Sequence, residues 1–516
     1  MMVLRALLDR RPSTPVLPPA GEGGALRSYL IAITSVTIVG LTLIFLMAGG
    51  ESAWTGHYWI LPGILLVGAG LRLACGRAGD SGGARLSTRA FLMAVVVFCV
   101  AIRLLAVLSL PFTPLDDFQV YHDAGLMMAD QWSLGTPGGF RCFLPPGQIF
   151  SLGVIYWLFG PHVLAGQLLN IVYAAGTVVA VWYVGQRLFG QRVGRAGAIL
   201  CSLAPSQIFG CQLLGAEVPG AFWLASALAV YCGTVMRRKH WLAGALLCGV
   251  LIGIGSLIRP TLLLLPIPLG LHMLICSRGW RRQSLVTAGL IMLGAMLAVG
   301  PWTYRNYRVT GEFILISSNG GGNLWNANND TTDGGYTEWV WGHLFTTASN
   351  DHELQQIGFD NAKAWIWQHP GHFAQLAVQK FWIFWHNDND IPWWAITHCG
   401  TGLPEWVGPW AMALSSSFYV SVLLAALLSV WRLRRKLWTD GRWMILPVTA
   451  MYFTAVHMVF EAQGKYRFLL SPLLCILAGL LVQAIGSCMS IKPGAGCQEP
   501  VTEDIGHERT ESQLPR

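Results

Sequence analysis

Long apolar stretches alternate with short polar segments along most of the chain. A helix needs about 20 apolar residues to cross the hydrocarbon core of a bilayer. Stretches near this length lie at residues 29–48, 57–75, 90–111, 163–186, 194–212, 214–236, 241–258, 260–276, 284–303, 409–431, 443–460 and 468–486. The pattern predicts an all-α polytopic membrane protein with about 12 spans.

Basic residues cluster in short segments that separate alternate pairs of these stretches. The clusters lie at residues 77–89, 187–195, 237–239, 278–282 and 432–436. Cytoplasmic loops of membrane proteins are enriched in Lys and Arg, so we place all five clusters inside. This orientation predicts a multi-pass protein of the plasma (inner) membrane with both termini in the cytoplasm.

One apolar stretch, Pro145 to Gly160, does not fit the role of a span. Its 16 residues are few for a crossing, and counting it would move the 187–195 cluster outside. We therefore predict a juxtamembrane helix along the outer interface, a position that suits Tyr156 and Trp157.

These assignments divide the chain into successive segments. They are a cytoplasmic N-terminal segment (1–28), two additional transmembrane helices (29–89), a transmembrane module (90–303) with a first outside loop (112–162), a large outside region (304–408), C-terminal transmembrane helices (409–486) and a disordered cytoplasmic tail (487–516). The large outside region holds ten acidic residues against four basic ones, and ten of the 23 tryptophans. The outside is therefore acidic and aromatic, whereas the inside is basic.

Composition agrees with a membrane protein and excludes a nucleic-acid partner. Of 516 residues, 53% are hydrophobic and 12% charged, with a net charge of +8, whereas soluble domains are about 25% charged. The excess positive charge lies in the inside clusters, which face membrane lipids rather than nucleic acid. The 12 cysteines lack metal-type spacing, so we predict no required metal. Cys142 and Cys399 both fall outside, and whether they form a disulfide stays open.

Ionisable residues from distant parts of the chain converge on the predicted outer face. Asp116 and Asp117 directly follow the stretch that ends at Phe112, and Glu217 and Arg259 lie at later outer junctions. Further polar residues at outer junctions are Arg305, Asn306, His457, Glu461, Lys465 and Arg467. Charged groups near hydrocarbon are costly and are functional candidates for that reason.

Each of these residues has a simpler interpretation. Glu217 could be a solvated turn acid, Arg259 could extend to lipid headgroups, and His457 could be a buried structural residue. Lys465 and Arg467 could be boundary anchors. The shared membrane face nevertheless favours a lipid-phosphate substrate, because arginine binds phosphate bidentately. A carboxylate can then act as general base on an acceptor while the cations stabilise a phosphate leaving group.

The order of several motifs resembles that of the GT-C membrane glycosyltransferases, in the branch of protein O-mannosyltransferases and lipid A aminoarabinose transferases. The matching pieces are Asp116-Asp-Phe-Gln-Val-Tyr-His-Asp-Ala124, Leu144-Pro-Pro-Gly147 with Tyr156-Trp-Leu-Phe-Gly160, Leu168-Leu-Asn170, Arg187-Leu-Phe-Gly190, Ile258-Arg-Pro260, Pro301-Trp-Thr-Tyr-Arg-Asn-Tyr307, Ser318-Asn-Gly-Gly-Gly-Asn-Leu-Trp325 with Asn328-Asn329, and Lys465-Tyr-Arg467. The resemblance implies a GT-C helix bundle in which residues 90–303 form the catalytic transmembrane module.

The resemblance also implies an activity and a site. The activity is inverting transfer of a sugar from a polyprenyl-phosphate donor to a glycan, lipid or protein acceptor on the extracytoplasmic side. Asp116, with Asp117 beside it, corresponds to the family's first-loop acid, and Glu217 to its second acid. Arg259, Lys465 and Arg467 are the implied donor-phosphate contacts. Candidate substrate-binding residues are Tyr121, Arg141, Arg305, Asn306 and Asn323.

Two features depart from the family, and two rival functions remain. The helices at 29–48 and 57–75 precede the family's usual first span. The family often has an arginine shortly before Pro-Pro-Gly, whereas Arg141 stands four residues before Pro145. Some relatives bind a divalent metal near the acids.

A transporter or flippase of a lipid-linked or anionic substrate is the main alternative, although the sequence shows no internal repeat of the kind that transporters have. A polysaccharide polymerase or ligase with a diphosphate donor is the other.

Overall fold

The computed structural model describes residues 87–135, 139–236, 240–276, 281–400 and 402–489. These residues form helices and connecting loops, with no β-strand among them. The predicted helices at 29–48 and 57–75, the segment 1–28 and the tail beyond residue 489 lie outside the described residues, so their predictions stay predictions.

The α-helices are numbered along the described chain. They are α1 (Thr88–Ser109), α2 (Asp116–Gln131), α3 (Pro146–Phe159), α4 (Val163–Phe189), α5 (Gln191–Leu203), α6 (Pro205–Phe209), α7 (Glu217–Val230), α8 (Trp241–Ser256), α9 (Pro266–Cys276), α10 (Arg281–Thr310), α11 (Gly320–Asn326), α12 (Glu338–Thr347), α13 (Asp351–Gln368), α14 (Pro370–Trp385), α15 (Asp390–Pro392), α16 (Val407–Thr439), α17 (Ile445–Val459) and α18 (Ser471–Met489). Short 3₁₀ segments lie at Gly210–Gln212, Pro260–Leu262, Gly441–Met444 and Gly464–Leu470, and π-helical turns at Tyr231–Val235 and Trp393–His398.

Six of the described helical segments are long and apolar enough to cross a membrane. They are Thr88–Ser109, Val163–Phe189, Glu217–Val235, Arg282–Thr310, Val407–Arg432 and Gly464–Leu481. Shorter apolar helices include α8, α17 and the predicted juxtamembrane helix α3, which has 14 residues. The all-α membrane fold is thereby confirmed, whereas the count of about 12 spans stays a prediction.

The prediction of one continuous helix over 194–212 is wrong. The helix α5 ends at Leu203, because Pro205 forces Ala204 into an extended conformation with ψ of 117°. The break frees carbonyl groups at the end of α5, and the buried Arg103 of α1 donates to those of Cys201 and Ser202 at 3.2 and 3.1 Å. An arginine that lies within an apolar helix therefore caps a neighbouring helix end.

Two helix boundaries near the predicted outer loops also differ from the sequence prediction. Helix α10 continues through Pro301 to Thr310, so Arg305 and Asn306 lie on its last turns rather than in a loop. The predicted loop 112–162 contains α2 in addition to α3. The buried face of α2 carries Phe118, Ala124, Gly125 and Met128.

Close packing of α8 against α10 fixes the position of Arg259, which follows α8. A Cβ added to Gly249 would lie 2.1 Å from the carbonyl oxygen of Ile291, and one added to Gly294 would lie 2.3 Å from that of Leu246. Small residues allow two helix backbones to approach this closely in a membrane. Bulkier residues there would push α8 outward, and Arg259 with it.

The large region between α10 and α16 folds into short helices with a core of their own. Its buried side chains include Leu324, Val340, Trp341, Leu344 and Leu354. Asp351, at the start of α13, ties this region to residues 139–143. Its carboxylate accepts hydrogen bonds from the backbone N–H groups of Arg141 and Cys142 at 2.7 and 3.0 Å.

Candidate active site

Acidic and basic side chains from four helix ends meet at one end of the bundle. Asp116 and Asp117 begin α2, and Glu217 begins α7. Arg259 lies between α8 and the 3₁₀ segment Pro260–Leu262, and Lys465 lies in the 3₁₀ segment before α18. We call these five residues the acid–cation cluster. The two cluster residues in contact that lie farthest apart in sequence are Lys465 and Asp117, separated by 348 positions.

Arg259 and Glu217 form a largely buried ion pair. Their side chains are 16% and 7% exposed, and the guanidinium donates to Glu217 Oε1. Burial lowers the pKa of Arg259, but the negative charge of Glu217 and of nearby groups outweighs it, so the net shift is upward. Gly220, one turn after Glu217, makes room for the pair, because a Cβ there would be 3.1 Å from Arg259 Cγ.

Lys465 and Asp117 form a second, more open pair. Lys465 Nζ lies 3.5 Å from Asp117 Oδ2, with Lys465 7% and Asp117 69% exposed at the side chain. The ammonium also lies 5.1 Å from the ring centre of Trp394, a cation–π contact. Tyr121 borders both pairs, and burial raises the pKa of its phenol, with Glu217 and Asp117 acting in the same direction and Arg259 opposing them.

Asp116 faces a residue that sequence analysis did not single out. Its Oδ2 lies 2.6 Å from Nε2 of His398, and the Asp116 side chain is 61% exposed. His398 ends the π-helical turn Trp393–His398 and stacks on Trp393 with ring centres 4.9 Å apart. No local pattern links the two residues, which are 282 positions apart. The π-helical turn, a feature that is frequent at functional sites, shows only in the structure.

Glu461 connects the large region to the cluster. The carboxylate is 4% exposed and accepts from Asn326 Nδ2 at 2.9 Å, Tyr466 OH at 3.2 Å and Gln463 Nε2. Burial raises its pKa. The Arg259 guanidinium in turn lies 5.0 Å from the ring centre of Tyr466, in a cation–π contact.

His457 and Tyr336 complete the surroundings of the cluster. The ring of His457 stacks between Phe384 and Tyr466, at 5.1 and 5.0 Å, and the side chain is buried, which agrees with its simpler structural interpretation. Tyr336 is more than half exposed, and partial burial, together with the charges of Asp117 and Glu461, raises the pKa of its phenol.

Arg467 is not part of the cluster. Its side chain is fully buried and donates to the carbonyl groups of Phe384 and Asn387 and to Asp388 Oδ1, at 2.6, 2.7 and 2.8 Å. Its guanidinium also lies 3.7 Å from the ring centre of Tyr419. These contacts occupy the side chain in packing the bundle, so the structure does not bring it to a phosphate site.

Other candidate substrate-binding residues form a separate group. Arg305 donates to the carbonyl oxygen atoms of Arg141 and Leu134 at 3.0 and 3.1 Å, and Asn306 donates to that of Ile314 at 3.0 Å. The contacts of Arg305 hold the loop before α3 against the end of α10, whereas that of Asn306 holds the segment that follows α10. Asn323 is half-buried on α11.

Within the described ranges, the histidine, cysteine and acidic side chains form neither a metal-ligand set nor a disulfide. No group of three or more His, Cys, Asp or Glu side chains there is placed to hold a metal ion. Cys142 and Cys399 are both free thiols. The Cys142 thiol donates to Asn306 Oδ1 at 3.3 Å, and burial raises the pKa of both thiols to about 11.

The arrangement separates two kinds of chemistry. Arg259 and Lys465 are cations backed by aromatic rings, and they can hold an anionic headgroup. Asp116 and Asp117 are exposed carboxylates that can accept a proton from an acceptor hydroxyl group. Asp117 joins the two parts, because it lies beside both Asp116 and Lys465.

Comparison with known families supports the resemblance predicted from the motifs. Residues 144–304 match the model of the dolichyl-phosphate-mannose-protein mannosyltransferase family. The match covers about a third of the 516 residues and includes Glu217 and Arg259, but not Asp116 or Lys465. The predicted resemblance to the mannosyltransferase branch of the GT-C enzymes is confirmed over this stretch.

Solved structures give partial fold matches. An oligosaccharyltransferase from Archaeoglobus fulgidus, tethered to an acceptor peptide, matches with a TM-score of 0.47 and 12% identity over 77% of this chain and 50% of that one. Another structure of that archaeal enzyme, AglB, with an inhibitory peptide and a dolichol-phosphate, gives 0.45 and 11% over 77% and 50%. ArnT from Cupriavidus metallidurans, bound to undecaprenyl phosphate, gives 0.40 and 14% over 78% of each chain. The present chain spans about half the length of the archaeal enzyme. No curated protein matches it in sequence.

Proposed function

We propose that the protein is an inverting glycosyltransferase of the membrane that uses a polyprenyl-phosphate-linked sugar as donor. The observation that carries the proposal is the acid–cation cluster, in which two exposed carboxylates adjoin two aromatic-backed cations. The match of residues 144–304 to a mannosyltransferase family supports glycosyl transfer. The Glu217–Arg259 pair lies within the matched stretch.

The proposed reaction exchanges one bond at the anomeric carbon for another. The acceptor hydroxyl oxygen forms a bond to C1 of the sugar, and its proton passes to the carboxylate of Asp116. The bond between C1 and the phosphate oxygen breaks, and its electron pair leaves with polyprenyl phosphate. Attack opposite the leaving group inverts C1.

Each cluster residue has a defined part in this proposal. Arg259 binds the phosphate group and stabilises the charge that grows on it as the bond breaks. Glu217 orients the guanidinium, because its carboxylate accepts a hydrogen bond from one N–H group of Arg259. Lys465 supplies a second cation on the side of Asp117. Asp117 orients the acceptor or the ammonium group.

The reaction side and the acceptor are further parts of the proposal. Charge bias along the sequence supports a site on the extracytoplasmic side of the plasma (inner) membrane. A glycan, a glycolipid or a protein would serve as acceptor, and the donor sugar is a hexose or a pentose.

Transfer and its two rivals differ in the fate of a labelled donor. The purified protein in liposomes is mixed with a polyprenyl-monophosphate sugar labelled in the sugar, and with acceptor extract from cells that lack the protein. We expect label to leave the lipid and to appear in the acceptor fraction. Movement of intact labelled lipid between leaflets would identify a flippase, and transfer only from a diphosphate-linked donor would identify the polymerase or ligase class.

A further inference from the structure

The start of α2 is docked on the π-helical turn that ends the large region. The backbone N–H of Thr113 donates to the carbonyl of Cys399 at 2.8 Å, and Phe118 packs edge-on against Trp394 at 5.5 Å between ring centres. Between these two contacts, Asp116 meets His398. The first-loop acid is therefore held by a segment that is distant in sequence.

His398 is itself held in place. Its ring stacks nearly parallel on Trp393, with an angle of 18°, and meets Trp394 edge-on at 4.8 Å. Its side chain is 32% exposed. A ring fixed on two sides presents Nε2 in one direction, and the carboxylate of Asp116 is the group it meets there.

Asp116 needs such support, because its backbone is strained. Its φ is +48°, in the left-handed region that few residues other than glycine adopt. Strain of this kind persists only where surrounding contacts determine the conformation, and it is concentrated at functional sites. The hydrogen bond to His398 is the side-chain contact that opposes relaxation of Asp116.

We propose that His398 is a positioning residue for Asp116, a role that rests on the proposed function. Its Nε2–H donates to Oδ2 and fixes the carboxylate, so that Oδ1 faces the acceptor hydroxyl group. The imidazole touches neither substrate. Replacing His398 should therefore lower kcat without raising the KM for the donor, because the cations still bind the donor phosphate.

Three variants separate hydrogen bonding from packing. His398→Phe keeps a ring to stack on Trp393 but has no donor, whereas His398→Gln places an amide N–H near the position of Nε2. His398→Asn carries the same amide on a shorter side chain that does not reach Asp116. His386→Phe is a matched control, because His386 also stacks on a tryptophan, Trp382, but lies outside the cluster.

We expect His398→Phe and His398→Asn to lower kcat by about 100-fold, the loss that a displacement of a reacting group by about 1 Å can cause. The donor KM should stay within about twofold, since uniform donor binding is intact. His398→Gln should recover most of the turnover, and His386→Phe should equal the wild type. If His398→Phe does not purify as a folded protein, the comparison of Gln with Asn decides the same question.

Asp116→Asn is assayed in parallel to separate this inference from the proposed function. Loss of transfer in Asp116→Asn together with wild-type kcat in His398→Phe and His398→Asn would overturn the positioning role alone. Equal loss in the Gln and Asn variants would also overturn it, because packing rather than the hydrogen bond would then matter. Wild-type turnover in Asp116→Asn would overturn the proposed base itself.

Discussion

Breaking the Arg259–Glu217 pair tests the architecture of the cluster most simply. Arg259→Met removes the guanidinium but leaves Glu217, which is only 7% exposed, without its cation. Removing one partner of a buried pair costs about 3–5 kcal/mol. Because Arg259 keeps 16% exposure, which implies partial solvent screening, we expect the lower end, about 3 kcal/mol.

A double-mutant cycle isolates the pair from other effects. Glu217→Gln leaves a cation that still lies over Tyr466 and reaches solvent, so it should cost less, about 1 kcal/mol. The double variant has no unpaired charge, and its loss should fall short of the sum by about 2 kcal/mol, within the range for contacting residues.

Unfolding in mixed micelles by SDS titration, followed by tryptophan fluorescence, measures each loss. The control is Lys363→Met, since Lys363 is 69% exposed and makes a surface pair with Asp360 at 4.0 Å, which is worth little. Strictly additive losses in the double variant would refute the pairing of Arg259 with Glu217.

Three further predictions concern the supporting structure. Burial lowers the pKa of Lys380 to about 7. Between this pH and about 10.5, the lysine is protonated in the unfolded chain but neutral in the folded protein. The free energy of unfolding should therefore rise with pH over this range, by up to about 1.4 kcal/mol per pH unit. SDS titrations at several pH values should show this slope in the wild type and not in Lys380→Met. Gly249→Val should lower unfolding stability by about 1–3 kcal/mol, because its side chain meets the Ile291 carbonyl; stability equal to wild type would contradict the close approach. Cys142 and Cys399 should both be alkylated in denatured, unreduced protein, and mass shifts at neither would contradict the free thiols.

Apolar run length predicts most of the helices because membrane spans need it. It does not predict α2, because Gln119, His122 and Asp123 interrupt the apolar run between the buried Phe118 and Ala124. Gly125 lies seven residues after Phe118, and Met128 lies four and three residues after Ala124 and Gly125; positions with this spacing share one face of a helix, and that was the signal available. Run length also predicts one helix where the structure has α5 and α6, because it does not take account of the extended conformation that Pro205 imposes on Ala204.

The membership of the site was partly predictable. Charge bias and motif order bring Asp116, Asp117, Glu217, Arg259 and Lys465 to one face, and the structure places them together. Whether a cation faces a cleft or the interior depends on its tertiary partners. Arg467 and Lys465 are two residues apart, yet Arg467 is buried against Asp388.

Turnover of Asp116→Asn tests the central claim most directly. The assay follows the label from a polyprenyl-monophosphate sugar to the acceptor. Asp123→Asn is a matched control, because Asp123 lies on the same helix and its Oδ1 accepts a hydrogen bond from Gln119 Nε2 at 2.6 Å. We predict transfer by the wild type and by Asp123→Asn, and a loss of about 10²–10⁴-fold in Asp116→Asn. Equal transfer by Asp116→Asn and the wild type would contradict the account.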